Sequence, residues 1–379
     1  MLGISGASHA AHHRYPVWWT GDDKSLSTSI NTMVEFGVRH LKPYVHSDCG
    51  GVASKTTGLV EVPEYVRWSQ HCALGAIHRY HGGPGHQPWL YGEAVETIIR
   101  DFLNMRMQLM PTILAAGARA TADGMPLVRR LDLAFPQPQH RENATRTDQY
   151  LLADDTLIAP FSGGWAANGT ATRQVWIPPG QWQDAWSGAV LAGPALVASS
   201  QPLARVPMWH RRGGMVVTAP VAQTVEAQDW SRLTLEVFPF PAGGGAENRT
   251  LVRRVVARES ELGGGGAAIT MTQTVAGVVL LGVEEEPGAV RRGWLLRLHL
   301  LPGETASLVM PERKEVATAC NTATLHPRNL AGFVPFAGAG AAPPPLAGAV
   351  LEVRCPPGSQ KIAEVQVKVD EVAQQLAKT

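Results

Sequence analysis

Residues 92–124, GEAVETIIRDFLNMRMQLMPTILAAGARATADG, form the longest stretch with the apolar spacing of a helix, and nothing like it recurs after residue 136. Pro111 lies inside this run, where a missing N–H and a crowding ring call for a kink or a break. Gly124 reads as the helix stop. Upstream, SLSTSINTMVEFGVRH (25–40) and VPEYVRWSQHCALGA (62–76) also have helical spacing, with serines available as caps in the first. LKPYVHSDCGG (41–51) reads instead as a short strand running into a polar, glycine-ended loop. Strand, polar loop and helix therefore repeat, with polar clusters placed just after the strands, as a (β/α) barrel arranges its active site. A complete barrel takes about 250 residues; the α/β region here has roughly half that, so part of a barrel is expected.

Beyond residue 136 the pattern becomes β-type. LLADDTLIAPF, RQVWIPPGQWQDAW, ARVPMWHRRGGMVVTAP and LTLEVFPFP are short runs divided by glycine and proline turns, the signature of a β-sandwich. VRRVVARE, AITMTQTVAGVVLLGV and WLLRLHLLPGETASLVM continue it, so a second sandwich is expected. The expected division is 1–140 for the α/β region, 141–228 for the first sandwich and 229–379 for the second. GGGAEN (243–248), GGGGAA (263–268) and AGAGAAPPPLAGA (337–349) read as extended surface loops, and the tail KIAEVQVKVDEVAQQLAKT as a strand, a helix or both.

With 379 residues, a net charge of +1 and 17% charged residues, the chain is globular and holds two or three domains. It has no lysine- or arginine-rich block, which argues against nucleic acid as a partner. No apolar run nears the roughly 18–20 residues of a membrane helix, so no membrane partner is expected. Cys49, Cys72, Cys320 and Cys355 include no C-x-x-C pair, hence no zinc signature, and their spacing does not disclose a disulfide. The sequons at Asn143, Asn168 and Asn248 bear on structure only if the protein enters the secretory route, and residues 1–16 lack the apolar core of a signal peptide.

RYPVWWTGDD (14–23) sets two indoles beside a glycine and two aspartates. Apolar rings around a carboxyl disfavour its charged form and raise its pKa, which a general acid for glycoside cleavage needs. Indoles also offer a flat face to a sugar ring, and Gly21 allows a tight turn. Taken alone, an aspartate after glycine is more often a turn residue or a helix cap. Asp48 ends the strand-like run KPYVHSD, again as a turn residue or a ligand contact. In HRYH (78–81), Arg79 and His81 share one side of an extended segment and could meet one ligand, or be a solvated basic pair.

In order along the chain, HRYPVWWTGD (13–22), KPYVHSDCGG (42–51), VRWSQ (66–70), HRYH (78–81), RMQLMPTILAAGARATADGMPLVRRLDLAFP (106–136), DQYLLADDTLIAP (148–160), VWIPPGQWQDAWSG (175–188) and PLARVPMWHRRGGMVV (202–217) resemble glycoside hydrolase family 31, the α-glucosidases and α-xylosidases. The resemblance implies the C-terminal half of a (β/α)8 TIM barrel followed by two β-sandwich domains. It implies retaining hydrolysis of α-glycosidic bonds in an α-linked oligosaccharide or glycoside, without metal or organic cofactor. Asp22 matches the family's general acid/base. Trp19 matches an aromatic of the sugar pocket, Arg14 the arginine of the same loop, and Asp48 the aspartate of the seventh-strand loop. Arg79 and His81 match the eighth-strand residues that contact or frame sugar hydroxyls.

The chain departs from the family in two places. A retaining enzyme needs a second carboxylate about 5–5.5 Å from the acid. In this family it belongs to a W-x-D-M-N-E-like motif, which occurs nowhere in these 379 residues. Gly6 stands where the family has a further arginine. Three expectations follow: a portion of a longer hydrolase, a half-enzyme completed by an N-terminal half or second subunit, or a non-catalytic carbohydrate-binding protein. On its own the chain is expected to have little or no hydrolase activity.

Overall fold

The computed structural model describes residues 17–23, 25–40, 42–51, 59–81, 85–241, 249–255, 266–274, 278–285, 293–300, 304–309, 322–327, 349–355 and 362–371. Arg14, the GGGAEN loop and most of the segment 337–349 lie outside these residues.

β1 (Val17–Trp19) and β2 (Tyr44–His46) pair in parallel, Val17 opposite Tyr44 and Trp19 opposite His46. α1 (Leu26–His40) joins them and turns Leu26, Ile30, Met33, Val34 and Gly37 inward at the three- and four-residue spacing read from the sequence. α2 (Val62–Ala73) follows β2, with Pro63 in its first turn, where a missing N–H costs no hydrogen bond. The chain then returns to a third parallel position, a single bridge between Tyr80 and Cys49. This is the strand–helix–strand connectivity expected of the α/β region.

The long helical pattern is two helices, α3 (Glu93–Gln108) and α4 (Met110–Asp123), divided at Leu109. Pro111 is in the first turn of α4, so the expected break is complete, and Gly124 ends α4. α4 rests on β2 through Gly117, where an added Cβ would overlap the Tyr44 hydroxyl and lie 2.7 Å from its Cζ.

β3 (Val128–Arg129), β4 (Tyr150–Leu152), β5 (Thr156–Ile158), β6 (Ala171–Asp184), β7 (Val190–Gln201) and β8 (Met208–Arg211) form one six-stranded sheet in the order β3-β4-β5-β8-β6-β7. Two five-stranded sheets follow. One has the order β16 (Thr322–Pro327), β17 (Ala349–Cys355), β14 (Gly293–His299), β10 (Arg232–Phe238), β9 (Gly214–Thr218). The other runs β11 (Arg249–Val255), β12 (Ala267–Gln273), β13 (Val278–Glu285), β18 (Ile362–Glu371), β15 (Glu304–Val309). Leu235, Leu296 and Leu298 from the first share one buried cluster with Ile269, Met271 and Leu281 from the second. The chain changes sheets between β8 and β9, at Arg212–Gly213, ahead of the change of character at 228/229. The tail, read as strand or helix, is strand over Ile362–Glu371. β7 has no apolar alternation in its sequence and draws its pairing from the long hairpin with β6.

Arg67 of α2 fastens the α/β region to the β-region. Its Nη2 donates to the carbonyls of Gly169, Pro202 and Gln201 at 2.9, 3.0 and 3.3 Å, and its Nη1 to Gln70 Oε1 at 3.1 Å and to Arg205 O. The guanidinium lies 4.5 Å from the Phe161 ring centroid. Burial pushes it down to about 10, so it stays charged at neutral pH. Gln70, one turn on, donates to Leu203 O at 2.6 Å.

Two outcomes are expected in chemical denaturation. Arg67→Leu strips the donors from these carbonyls and costs more than about 3 kcal/mol, and Arg67→Lys does not restore it, since one ammonium cannot fan across them. Gly117→Ala costs about 1–3 kcal/mol by overpacking, and adding Tyr44→Phe recovers part of the loss.

Candidate active site

The W-W-T-G-D-D segment leaves β1 as a tight turn. Thr20 N donates to His46 O at 3.0 Å, which holds the segment to β2, and Asp23 N returns to Gly21 O at 2.8 Å. Gly21 has φ +100°, a conformation that L side chains rarely adopt. The turn puts Asp22 out in solvent and Asp23 inside.

The two indoles separate, because successive strand residues point to opposite faces. Trp18 is buried against Phe36 and His40, with the Lys42 ammonium 5.1 Å from its ring, so it is a core residue and not a sugar platform. Trp19 points the other way and donates from Nε1 to Asp48 Oδ1 at 3.2 Å.

Asp48 is fully buried and also accepts from Arg79 Nη2, whose side chain is 40% exposed. The Arg79 guanidinium lies 6.0 Å from the Trp19 ring centroid. Trp19, Asp48 and Arg79, picked from three separate motifs, thus form one cluster. Its remaining acceptor, Asp48 Oδ2, is buried and takes no hydrogen bond among the described residues. A carboxylate oxygen in that state is suited to a ligand hydroxyl.

The backbone fixes this cluster. Cys49 N donates to Arg79 O at 3.2 Å and His81 N to Cys49 O at 3.3 Å, so Arg79 and His81 flank the bridge at Tyr80. A disulfide joins Cys49 to Cys72 of α2, with Cα atoms 6.1 Å apart, and pins the loop that carries Asp48. The His81 ring is 5.5 Å from that of His86, whose Nε2 lies 2.7 Å from Gly51 O. Arg79 reaches Asp48 directly; His81 instead borders the loop.

Of the two adjacent aspartates, Asp23 is the buried one. Burial pushes the Asp23 carboxyl up, a hydrogen bond from the Thr20 hydroxyl opposes this, and the charges of Asp48 and Asp22 add to the rise. His46 is buried within electrostatic reach of Arg79 and Asp48; burial first, and then the Arg79 charge, push its imidazole down, so it is neutral at pH 7. Neither Asp23 nor His46 had been marked as a site residue. The signal for His46 was its place two residues before Asp48, on the same side of an extended segment. No group of three or more histidine, cysteine or acidic residues could hold a metal among the described residues. No helix among them is long and apolar enough to cross a membrane.

Comparison with known proteins points to one family. The family model "Glycosyl hydrolases family 31 TIM-barrel domain" matches residues 2–116, and "Glycosyl hydrolase family 31 C-terminal domain" matches residues 124–217. Alpha-glucosidase 2 of Bacillus thermoamyloliquefaciens is 28% identical over 249 residues, 64% of this chain and 30% of its own length. Neutral alpha-glucosidase AB of Homo sapiens is 30% identical over 252 residues, 63% of this chain and 25% of its own. Among solved structures, a family 31 dextranase of Flavobacterium johnsoniae in complex with glucose superposes with a TM-score of 0.72 at 19% identity, over 96% of this chain and 45% of that one. The chain thus spans under a third of the length of these two curated relatives.

The raised Asp23 carboxyl predicts a pH signature. In a group whose folded pKa lies above its unfolded value, the stability contribution is full below the unfolded pKa of about 3.9 and is lost as pH rises through the folded pKa. Asp23→Asn removes that loss and the repulsion from Asp48. Melting temperatures of the variant, relative to the parent chain, are expected to rise between pH 4 and pH 8; a difference independent of pH would contradict the buried-carboxyl assignment.

Proposed function

Because the chain belongs to glycoside hydrolase family 31, we propose that it carries the acid/base half of a retaining α-glycosidase site. The observation that carries this reading is the Asp48 cluster: a buried carboxylate held on one oxygen by Trp19 and Arg79, with its other oxygen unengaged, beside the turn that presents Asp22. Asp22 gives its proton to the leaving glycosidic oxygen, then as a base takes a proton from the water that hydrolyses the glycosyl-enzyme. Asp48 and Arg79 bind sugar hydroxyls, Trp19 walls the ring, and His81 and Arg14 frame the substrate. The substrate is an α-linked oligosaccharide or glycoside. The named activities of the relatives support that class, as do the glucose and isomaltotriose complexes of the dextranase.

The covalent step needs a nucleophile about 5–5.5 Å from the acid. Asp23 is turned inward, and Asp48, held on one oxygen by Arg79 and Trp19, matches the family's binding aspartate, so neither is assigned as the nucleophile. The nucleophile is therefore assigned to polypeptide outside these 379 residues, on preceding (β/α) units. The domain reading that goes with it is a partial barrel over 1–140 and two sandwiches over 141–228 and 229–379.

The test is release of 4-nitrophenol from its α-glucoside by the 379-residue chain beside Asp22→Asn. The expected result is no turnover from either. Turnover abolished by Asp22→Asn would mean that the nucleophile lies within the chain, and the reading would fail.

A further inference from the structure

Eight large hydrophobic side chains are exposed among the described residues, and four of them lie at one seam: Leu59 (54%), Val62 (39%), Trp89 (67%) and Leu90 (49%). The seam joins the segment entering α2 to a single 3₁₀ turn, Pro88–Tyr91, that enters α3. It is held rigidly from behind. Val60 N donates to Tyr91 Oη at 3.1 Å, Tyr91 donates to Gly85 O at 2.7 Å, and the Tyr91 ring stacks on Tyr65 at 3.9 Å and 8°. An ordered mount under an exposed indole indicates a surface built to be covered.

Its position narrows what covers it. The 3₁₀ turn belongs to the connection that leaves Tyr80, at the open end of the parallel strands, and His86 of that connection touches the Asp48 loop at Gly51. The seam therefore borders the candidate site. The rim is acidic: Glu61 and Glu93 are exposed and Glu64 half-buried, with no ion pair to any of them among the described residues. Burial, with the Glu61 charge behind it, pushes the Glu64 carboxyl up, as befits an acid without a cation nearby. The matched dextranase has more than half of its chain outside the superposed region.

We infer that the Leu59–Val62–Trp89–Leu90 surface is the docking face for the (β/α) polypeptide that brings the nucleophile, and that this partner meets it with an apolar centre and a basic rim. The inference rests on the half-site reading above, and it adds where the halves join. Trp89 is the anchor, since a large exposed ring on a fixed mount buries the most area at little conformational cost.

The test is thiol labelling in two settings. Leu90→Cys is placed in the 379-residue chain and in a chimera where this chain replaces the 249-residue matched region of the Bacillus relative. Leu196→Cys on β7, 56% exposed and far along the chain from the seam, is the control. Maleimide labelling above the parent background is expected to be fast at both positions in the chain alone. In the chimera it should be at least tenfold slower at position 90 and unchanged at 196. Glu61→Lys with Glu64→Lys should restore fast labelling at 90 by repelling the basic rim. Equal labelling at 90 in both settings overturns the inference. So does slowing at 90 in the chain alone that depends on its concentration, which assigns the face to a second copy, or on added isomaltotriose, which makes Trp89 a sugar platform. Trp89→Asp with Leu90→Asp covers the case of a poorly assembled chimera. The chain alone should melt within a few degrees of the parent, because both side chains are exposed, while the chimera carrying the pair should lose its soluble yield; unchanged yield overturns the inference. Protection at 90 without 4-nitrophenyl α-glucoside turnover would keep the docking face and sink the hydrolase reading, and turnover without protection would do the reverse.

Discussion

One buried guanidinium holds the two halves of this molecule in register. Arg67 carries its charge at the joint between α2 and the loops at either end of the β6–β7 hairpin, and among the described residues its polar partners are neutral oxygens. A cation without a carboxylate is stabilised by oriented carbonyl dipoles, and those dipoles stay oriented only while the β-region is folded. The dependence runs both ways. α2 also carries Cys72, which is bonded to Cys49 next to Asp48, so the position of the site loop traces back to the same helix.

The site itself is arranged by geometry more than by composition. Successive residues of a strand must face opposite ways, and this single rule sends Trp18 to the core and Trp19 to Asp48. The turn that follows, through a glycine with positive φ, exposes Asp22 and buries Asp23. Burial then pushes the Asp23 carboxyl up.

Much of this was legible along the chain. The helical spacing of 25–40 and 62–76, the break at Pro111 and the stop at Gly124 depend on neighbours within one or two turns, so local sequence carries them. The order of the motifs placed Trp19, Asp48 and Arg79 together, although no spacing rule joins residues thirty positions apart. What stayed illegible depends on distant partners. β7 pairs because β6 lies beside it, and the Cys49–Cys72 bond needs the Asp48 loop and α2 brought together. The carbonyls that Arg67 collects are more than a hundred residues away from it.

The sequence by itself determined the class of the chain, an α/β region ahead of β-sheets, because helix period, strand period and turn chemistry are local, and its ordered motifs determined the family. Tertiary structure alone decided which indole meets Asp48, which of two adjacent aspartates is buried, and which oxygen of Asp48 remains unengaged. Those outcomes are set by which groups lose water when separate segments pack, and desolvation is a property of the assembled fold.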